Sequence, residues 1–168
     1  MRKYGLFTVC VVMVFCIMMA SLGLAESSET RQEKLGSFSY RIWESWTAKN
    51  PDDNTVYYYD SDPGSGRICI CMSMSLGEYS WTADDEDAAE AVLNKMVEGM
   101  MNDTETSLET KMIDLGSGKA MQIQGRLAGS GAAGVLVMKE KEIFAMVLLG
   151  RDGEDLLTPL LSLAGSIQ

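Results

Sequence analysis

Short segments in which apolar and polar residues alternate recur along most of the chain, separated by clusters of turn-forming residues. A two-residue period is typical of β-strands that bury one face. The segments that predict strands are residues 38–42, 55–60, 67–74, 108–115, 120–127, 135–138 and 143–149. Since most of the connections between them have hairpin length, the pattern indicates an antiparallel sheet.

Four polar or small-residue stretches predict connections between these strands. Residues 49–54 (KNPDDN) and 61–66 (SDPGSG) favour turns, because Pro presets one backbone angle and Gly accepts positive φ. The glycine-rich run 128–134 (AGSGAAG) predicts a flexible loop. It does not match a phosphate-binding loop, since no Gly-Lys-Ser/Thr follows it. The charged run 139–142 (KEKE) predicts a hairpin connection.

Two further segments predict helices. Residues 84–101 begin with four acids, which complement the positive end of a helix dipole, and continue with apolar residues at a helical spacing. The predicted apolar face consists of Ala89, Val92, Leu93, Met96, Val97 and Met100. A second helix is predicted within residues 156–167, where Thr158 can cap the first turn and Pro159 suits the first helical position.

The predicted order is therefore three strands, a helix, about four strands and a terminal helix. Runs of strands interrupted by one helix indicate the α+β fold class, with an antiparallel sheet of about six to seven strands. We expect the helices to cover the sheet, because its apolar face has to be buried.

The N-terminal residues have the pattern of a secretory signal. Two basic residues precede a long apolar run, and residues 23–25 (GLA) offer small side chains where a signal peptidase cleaves. We predict a signal peptide over residues 1–25, a flexible leader over 26–37 and a single domain over 38–168, secreted or held in the cell envelope. The apolar run is also long enough to span a bilayer, so the alternative is a domain anchored by an uncleaved N-terminal helix.

The composition argues against several kinds of function. The formal net charge is −10, and an acidic chain is poorly suited to nucleic acid or anionic lipid, both of which attract clusters of Lys and Arg. The 168 residues include no histidine, so the commonest general base and metal ligand is missing. We expect no cofactor and, after signal cleavage, no insertion into a membrane.

Cys69 and Cys71, within residues 67–74 (RICICMSM), form a possible thiol site. In a strand their side chains point to one face, and those of Met72 and Met74 point to the other, so the four sulfur atoms do not converge on one ion. Same-face neighbours along a strand also lie about 7 Å apart, at the upper limit for a disulfide. The favoured interpretation is two buried structural thiols. A copper(I) site, an intermolecular disulfide and a disulfide formed after local distortion stay open.

Two acidic clusters, residues 60–62 (DSD) and 84–87 (DDED), contain oxygen ligands of the kind that calcium prefers. The first lacks the third carboxylate and the final Glu of an EF-hand loop, and turn formation explains it. Helix capping explains the second. Residues 102–104 (NDT) match a glycosylation acceptor.

The aromatic residues of the first half of the chain are candidates for a binding surface, because exposed aromatic side chains often anchor contacts. The candidates are Trp43, Trp46, Tyr57, Tyr59 and Trp81. Tyr57 and Tyr59 share one face of a predicted strand and Tyr58 occupies the other, so one of the two sets belongs to the core. Packing in the core or on the sheet is the alternative for all of them.

With its elements in this order, the chain resembles the PsbP/Mog1-like fold, and in particular the bacterial secreted families of that group. The matching parts are residues 38–42 (FSYRI) with Trp46, the helix around 88–101, the hairpins 112–127 and 135–149, and the closing residues 160–167 (LLSLAGSI). At residues 42–44 (IWE) the chain departs from these relatives, which usually carry Pro before the Trp. The resemblance implies an antiparallel sheet sandwiched by helices, an αβα sandwich, and members of this fold mostly act as binding or assembly subunits.

The residues and the resemblance together predict a non-catalytic binding or assembly module that is secreted or associated with the cell envelope. The expected partner is another envelope or extracellular protein. The alternative from a different class is a histidine-free hydrolase that uses two carboxylates with separated pKa values. A copper or redox module at Cys69 and Cys71 is a further alternative.

Overall fold

The computed structural model describes residues 29–76, 86–101, 105–115, 118–139 and 142–168. Within these ranges the chain forms nine strands and two helices. In chain order they are β1 (Thr30–Leu35), β2 (Phe38–Trp43), β3 (Thr47–Asp52), β4 (Thr55–Tyr59), β5 (Ile68–Ser75), α1 (Glu86–Met100), β6 (Ser107–Leu115), β7 (Gly118–Leu127), β8 (Ser130–Lys139), β9 (Glu142–Gly150) and α2 (Leu157–Ala164).

A seven-stranded sheet with the strand order β3-β4-β5-β9-β8-β7-β6 forms the centre of the molecule. Every neighbouring pair in it is antiparallel, and β1 and β2 pair separately as a two-stranded antiparallel sheet. The α+β class and the antiparallel pairing predicted from the alternating segments are therefore confirmed. Neither of the described helices is both long and apolar enough to cross a bilayer.

Strand β5 has the alternation that the sequence predicts. Cys69, Cys71 and Ser73 are buried on one face, whereas Ile68, Ile70 and Met72 are half-buried on the other. On both sides β5 has a hydrogen-bonded neighbour, β4 and β9, so it lies inside the sheet. The segment is extended throughout, and the thiols and thioethers face opposite ways.

Helix α1 packs on one face of the sheet. Its buried residues Leu93 and Val97 belong to a cluster with Met121, Ile123, Leu136, Ile143, Ala145 and Val147, which come from β7, β8 and β9. Val92 and Met96 pack against the same cluster. These four residues lie on the predicted apolar face; the side chains of Ala89 and Met100, and residues 84–85, lie outside the described part.

The opposite face of the sheet carries the β1–β2 hairpin and α2. The centroid of the Phe144 ring in β9 lies 5.3 Å from that of Phe38 and 4.9 Å from that of Tyr40, both in β2. From α2 and the residues that follow it, Leu160, Leu163, Ala164 and Ile167 are buried in the same cluster. Each face of the sheet therefore has its own hydrophobic core.

The first departure from the predictions is β1, which lies within the segment predicted as a flexible leader. Residues 30–35 (TRQEKL) pair with β2 along their whole length. The strand is polar because it is an edge of a two-stranded sheet, and only Leu35 among its residues is buried. Arg31 fixes it to its neighbours by hydrogen bonds from the guanidinium to the carbonyl oxygens of Glu44 at 2.6 Å and Trp46 at 2.9 Å.

A second departure is β3, which includes most of the predicted turn 49–54. The strand is fully exposed and, among the described strands, pairs with β4 alone, so it forms an edge of the main sheet. The register of its pairing with β4 changes between Lys49 and Asp52, a stretch that includes Pro51. Proline and a bulge are both tolerated at a sheet edge, where the outer backbone groups face solvent.

A third correction concerns residues 128–134, predicted as a flexible loop. Only Ala128 and Gly129 form the turn, both with positive φ as in a type I′ hairpin, and β8 begins at Ser130. The small residues that follow are buried in the sheet. A Cβ on Gly134 would lie 2.7 Å from Cγ1 of Ile123, so close packing between β7 and β8 accounts for the glycine here.

Helix α2 also begins differently from the prediction. It starts at Leu157, so Thr158 and Pro159 lie inside the first turn and Thr158 is not the cap. The backbone N–H of Thr158 donates to Oδ1 of Asp155 at 3.2 Å. Pro159 is tolerated because N–H groups in the first turn have no partner within the helix.

Candidate functional site

A cleft with a volume of about 820 Å³ opens where three connections meet. These are the turn between β2 and β3, the loop between β4 and β5, and the loop that follows β9. Its lining residues are Trp43, Ser45, Trp46, Asp60, Ser61, Asp62, Gly64, Ser65, Arg67, Arg151, Asp152, Gly153 and Glu154. We call it the Trp43 cleft.

Two tryptophans whose rings are in tilted contact form the aromatic side of the Trp43 cleft. The turn after β2, in which the N–H of Trp46 donates to the carbonyl of Trp43 at 3.1 Å, brings the two rings to a centroid distance of 4.7 Å. Trp46 is 5 % exposed and belongs to the core, while Trp43 is half-buried. Trp43 is thus held in place from behind and can present part of its ring to a ligand.

Carboxylates shape the loop on the second side of the cleft. Oδ1 of Asp60 accepts the N–H of Asp62 at 3.0 Å, and Oδ1 of Asp62 accepts the N–H of Gly64 at 2.8 Å. The N–H of Ser65 then donates to the carbonyl of Asp62 at 3.0 Å. These local bonds fix the loop, and because each carboxylate uses one oxygen in them, its other oxygen can meet a ligand.

An ion pair joins this loop to the loop after β9. The Arg67 guanidinium contacts Oε1 of Glu154 at 2.7 Å from Nε and 2.6 Å from Nη2. The backbone N–H of Arg151 donates to Oε2 of Glu154 at 3.1 Å, and the Arg151 guanidinium donates to the carbonyl of Gly64. Burial raises the pKa of Glu154, but the hydrogen bonds and charges of the two arginines outweigh it, and the pKa lies below its usual value.

The balance of charge in the cleft is negative. Four of its lining side chains are carboxylates, those of Asp60, Asp62, Asp152 and Glu154, and two are guanidinium groups. The Arg67 guanidinium pairs with Glu154, and the Arg151 guanidinium donates to the backbone carbonyl of Gly64. Asp152 lies 3.7 Å from Arg126 in an exposed pair, which neutralises little of its charge.

A second arrangement of reactive side chains lies in the core under the β1–β2 hairpin. The hydroxyl groups of Tyr40 and Tyr58 are 2.8 Å apart, and both residues are 1 % exposed. The Cys71 thiol is buried in the same cluster as Tyr40, Tyr58 and Cys69. Burial raises the pKa of Tyr40, raises that of Tyr58 to about 12 and raises that of the Cys71 thiol well above its usual range. The Cys71 thiol is therefore protonated and a poor nucleophile.

Neither arrangement has the composition of a metal centre. Within the described ranges, no group of three or more Cys, Asp or Glu side chains converges as metal ligands would. Cys69 and Cys71 are free thiols with no exposed surface.

The structure separates the aromatic residues predicted as one binding surface. Trp43 lines the cleft and Trp46 supports it from the core. Tyr57 and Tyr59 lie on the other face of the sheet, because their cross-strand partners Ile70 and Ile68 pair with Val147 and Leu149 of the α1 side. Trp81 lies outside the described residues, as do the glycosylation acceptor 102–104 and the predicted signal 1–25.

Sequence reasoning did not identify the charged residues of the cleft as one site. The residues it missed are Arg67, Arg151, Asp152 and Glu154. They meet because Ile68 pairs with Leu149, which brings the residues just before β5 next to those just after β9. The usable signal was the position of opposite charges at the ends of two strands, but it becomes informative only when those strands are known to be neighbours.

Comparison of the chain with protein-family models and with curated proteins found no match.

Proposed function

We propose that the protein is a non-catalytic binding or assembly module, secreted or held in the cell envelope, whose partner is another extracytoplasmic protein. The partner presents a basic segment to the Trp43 cleft. The observation that carries this proposal is the combination of a half-buried indole, supported from behind, with an excess of carboxylates in one cleft.

A basic side chain fits this combination for two physical reasons. An indole face attracts an ammonium or guanidinium group through a cation–π contact of about 0.5–1 kcal/mol at an exposed site. The carboxylates of Asp60, Asp62 and Asp152 add a field of the complementary sign, which raises the association rate and selects partners by charge. A preformed loop also reduces the entropy that binding would cost.

Binding is better supported than either of the catalytic alternatives. A hydrolase with two carboxylates needs one whose pKa is raised, so that it is protonated at neutral pH. Among the residues that the structure describes, the three carboxyls with shifted pKa values, Glu142, Glu154 and Asp155, all shift downward. A redox or copper module needs accessible thiolates, whereas Cys69 and Cys71 are fully buried and the Cys71 thiol has a raised pKa.

The proposal extends to the fold family and the location. We propose that the helices on the two faces of the sheet form the αβα sandwich of the PsbP/Mog1-like fold, which the order of elements resembles. We also propose that residues 1–25 direct the chain out of the cytoplasm, either as a cleaved signal or as an uncleaved anchor. In both cases the cleft would face an extracytoplasmic partner.

The test is a titration of the purified protein with hexalysine, followed by NMR chemical-shift mapping, with hexaglutamate as the control peptide. We expect shifts at the Trp43 indole and at the backbone of Ser65 and Arg151, and weaker binding as salt is added. Trp43→Leu should weaken binding roughly two- to fivefold, while Tyr59→Leu, on the other face of the sheet, should leave it unchanged.

Two charge variants decide whether the cleft or the overall acidity of the chain is responsible. Asp152→Asn removes an exposed carboxylate of the cleft, and Glu90→Gln removes an exposed carboxylate of α1. Only the first should weaken hexalysine binding. Equal losses in both variants, or shifts confined to surfaces away from Trp43, would show that the peptide responds only to net charge and would refute the proposal.

A further inference from the structure

The two edges of the main sheet differ in whether they are protected against pairing with another strand. At one edge, β3 carries Pro51 and a register shift between Lys49 and Asp52. Proline and bulges are devices by which proteins keep edge strands from associating. At the other edge, β6 pairs with β7 in unbroken register from Ser107 to Leu115 and contains no proline.

The outer backbone edge of β6 is suited to pairing with another strand. Among the described residues no strand pairs with that side, since β6 ends the strand order. The strand is nine residues long, which is long for a sheet edge. Its outer backbone N–H and C=O groups can therefore accept another extended strand, as in β-augmentation.

The side chains of β6 indicate which strand fits. On one face of β6 Glu109 and Lys111 are exposed next to each other, and on the other face Leu108 and Met112 are half-buried beside the α1 core. A second copy of β6 running antiparallel would be related to the first by a two-fold axis perpendicular to the sheet. Cross-strand partners then share a face, so one residue of β6 must face its own copy across the axis.

The position of the charges selects the register. When Thr110 faces its own copy across the axis, Glu109 lies opposite Lys111 of the second copy, and the same ion pair occurs twice. Leu108 then lies opposite Met112 of that copy. A register centred on Glu109 or on Lys111 would instead place like charges opposite each other, which is destabilising in a sheet.

We propose that β6 is a self-association edge, at which two copies of this chain pair antiparallel about Thr110 to form one continuous sheet. The α1 helices of both copies lie on the same face of that sheet. The proposal is independent of the Trp43 cleft, which lies near the opposite edge at the ends of β4, β5 and β9.

The test is sedimentation velocity of the full chain over a range of concentrations, with charge reversals in β6. Lys111→Glu and Glu109→Lys each turn both intermolecular ion pairs into like-charge pairs, and we expect each to weaken the dimer by about tenfold or more. Within the chain both positions lie opposite uncharged Gln122 and Gln124 of β7, so the reversals create no like-charge pair across the β6–β7 ladder. The like charges that each reversal places side by side along β6 are the same in the monomer and the dimer.

Two restorations distinguish the proposed edge from a loss of folding. The double variant Glu109→Lys/Lys111→Glu restores both pairs and should dimerise like the original chain. Mixing the two single variants should also give dimers, because one copy then carries two lysines and the other two glutamates. A protein that is monomeric at every concentration overturns the proposal, and so does a dimer that the single reversals leave intact.

Discussion

The buried hydroxyl pair of Tyr40 and Tyr58 leads to a prediction of non-additive losses for the Tyr→Phe variants. The hydroxyls are 2.8 Å apart and neither reaches solvent. Removing one leaves the other without its partner, and an unsatisfied buried hydroxyl costs about 1–3 kcal/mol. Removing both takes away donor and acceptor together, so neither member of the pair is left unsatisfied.

The structure predicts the size of each loss. Tyr58→Phe leaves the Tyr40 hydroxyl unpaired and Tyr40→Phe leaves the Tyr58 hydroxyl unpaired, so we expect each variant to lower the free energy of unfolding by about 1–3 kcal/mol. The double variant removes donor and acceptor together and should cost clearly less than the sum of the two single losses.

Equilibrium unfolding in urea measures these differences, provided that the slope of free energy against urea stays the same in all variants. Tyr59→Phe is the matched control, since Tyr59 is 39 % exposed on the other face of the sheet; it should change stability by less than about 0.5 kcal/mol. Single losses below about 0.5 kcal/mol, or strictly additive losses in the double variant, would contradict the reasoning.

Three further outcomes are expected. Burial raises the pKa of Tyr58 from 10.0 to about 12, so between these pH values the folded protein keeps the phenol proton that the unfolded chain loses. The stability that this phenol contributes is therefore complete below pH 10 and is lost as the pH rises towards 12. The free energy of unfolding should fall over that interval, and less so in Tyr58→Phe. Ala128 has a φ of 49° in the β7–β8 turn, so Ala128→Asn should stabilise the protein by about 0.5–1 kcal/mol in urea unfolding, whereas Ala48→Asn in exposed β3 should not. Cys69 and Cys71 have no exposed surface, so a chromogenic disulfide reagent should react with them only as fast as the protein opens; rapid reaction of the native protein would show that the thiols are accessible.

The parts of the fold that could be predicted from the sequence are those whose burial differs between faces. In β5 the cysteines alternate with half-buried Ile and Met, and in α1 Leu93 and Val97 recur at helical spacing, so local periodicity predicts both elements. Periodicity fails where both faces have the same environment. β3 is exposed on both faces and resembles a turn, and the first half of β8, whose small residues are buried on both faces, resembles a loop.

Fewer residues of the candidate site could be predicted from the sequence, because the site is formed by the pairing of strands that are far apart in the chain. Trp43 could be proposed from its chemistry, but its separation from Tyr57 and Tyr59 depends on which face of the sheet each strand presents. The contact between Arg67 and Glu154 depends on the pairing of β5 with β9. Local sequence carries no information about that pairing, so the charged residues of the cleft could not be assembled from it.

The position of β5 between β4 and β9 also governs when the native topology can form. β4 precedes β5 by a short loop, but Ile68 meets Leu149 only after nearly the whole chain is available. Contacts between residues so distant in the sequence make folding slow, since a long stretch of chain must be ordered before they contribute. Until β9 has been synthesised, one side of the cysteine-bearing strand has no hydrogen-bond partner, and a ribosome-bound N-terminal half cannot complete its core.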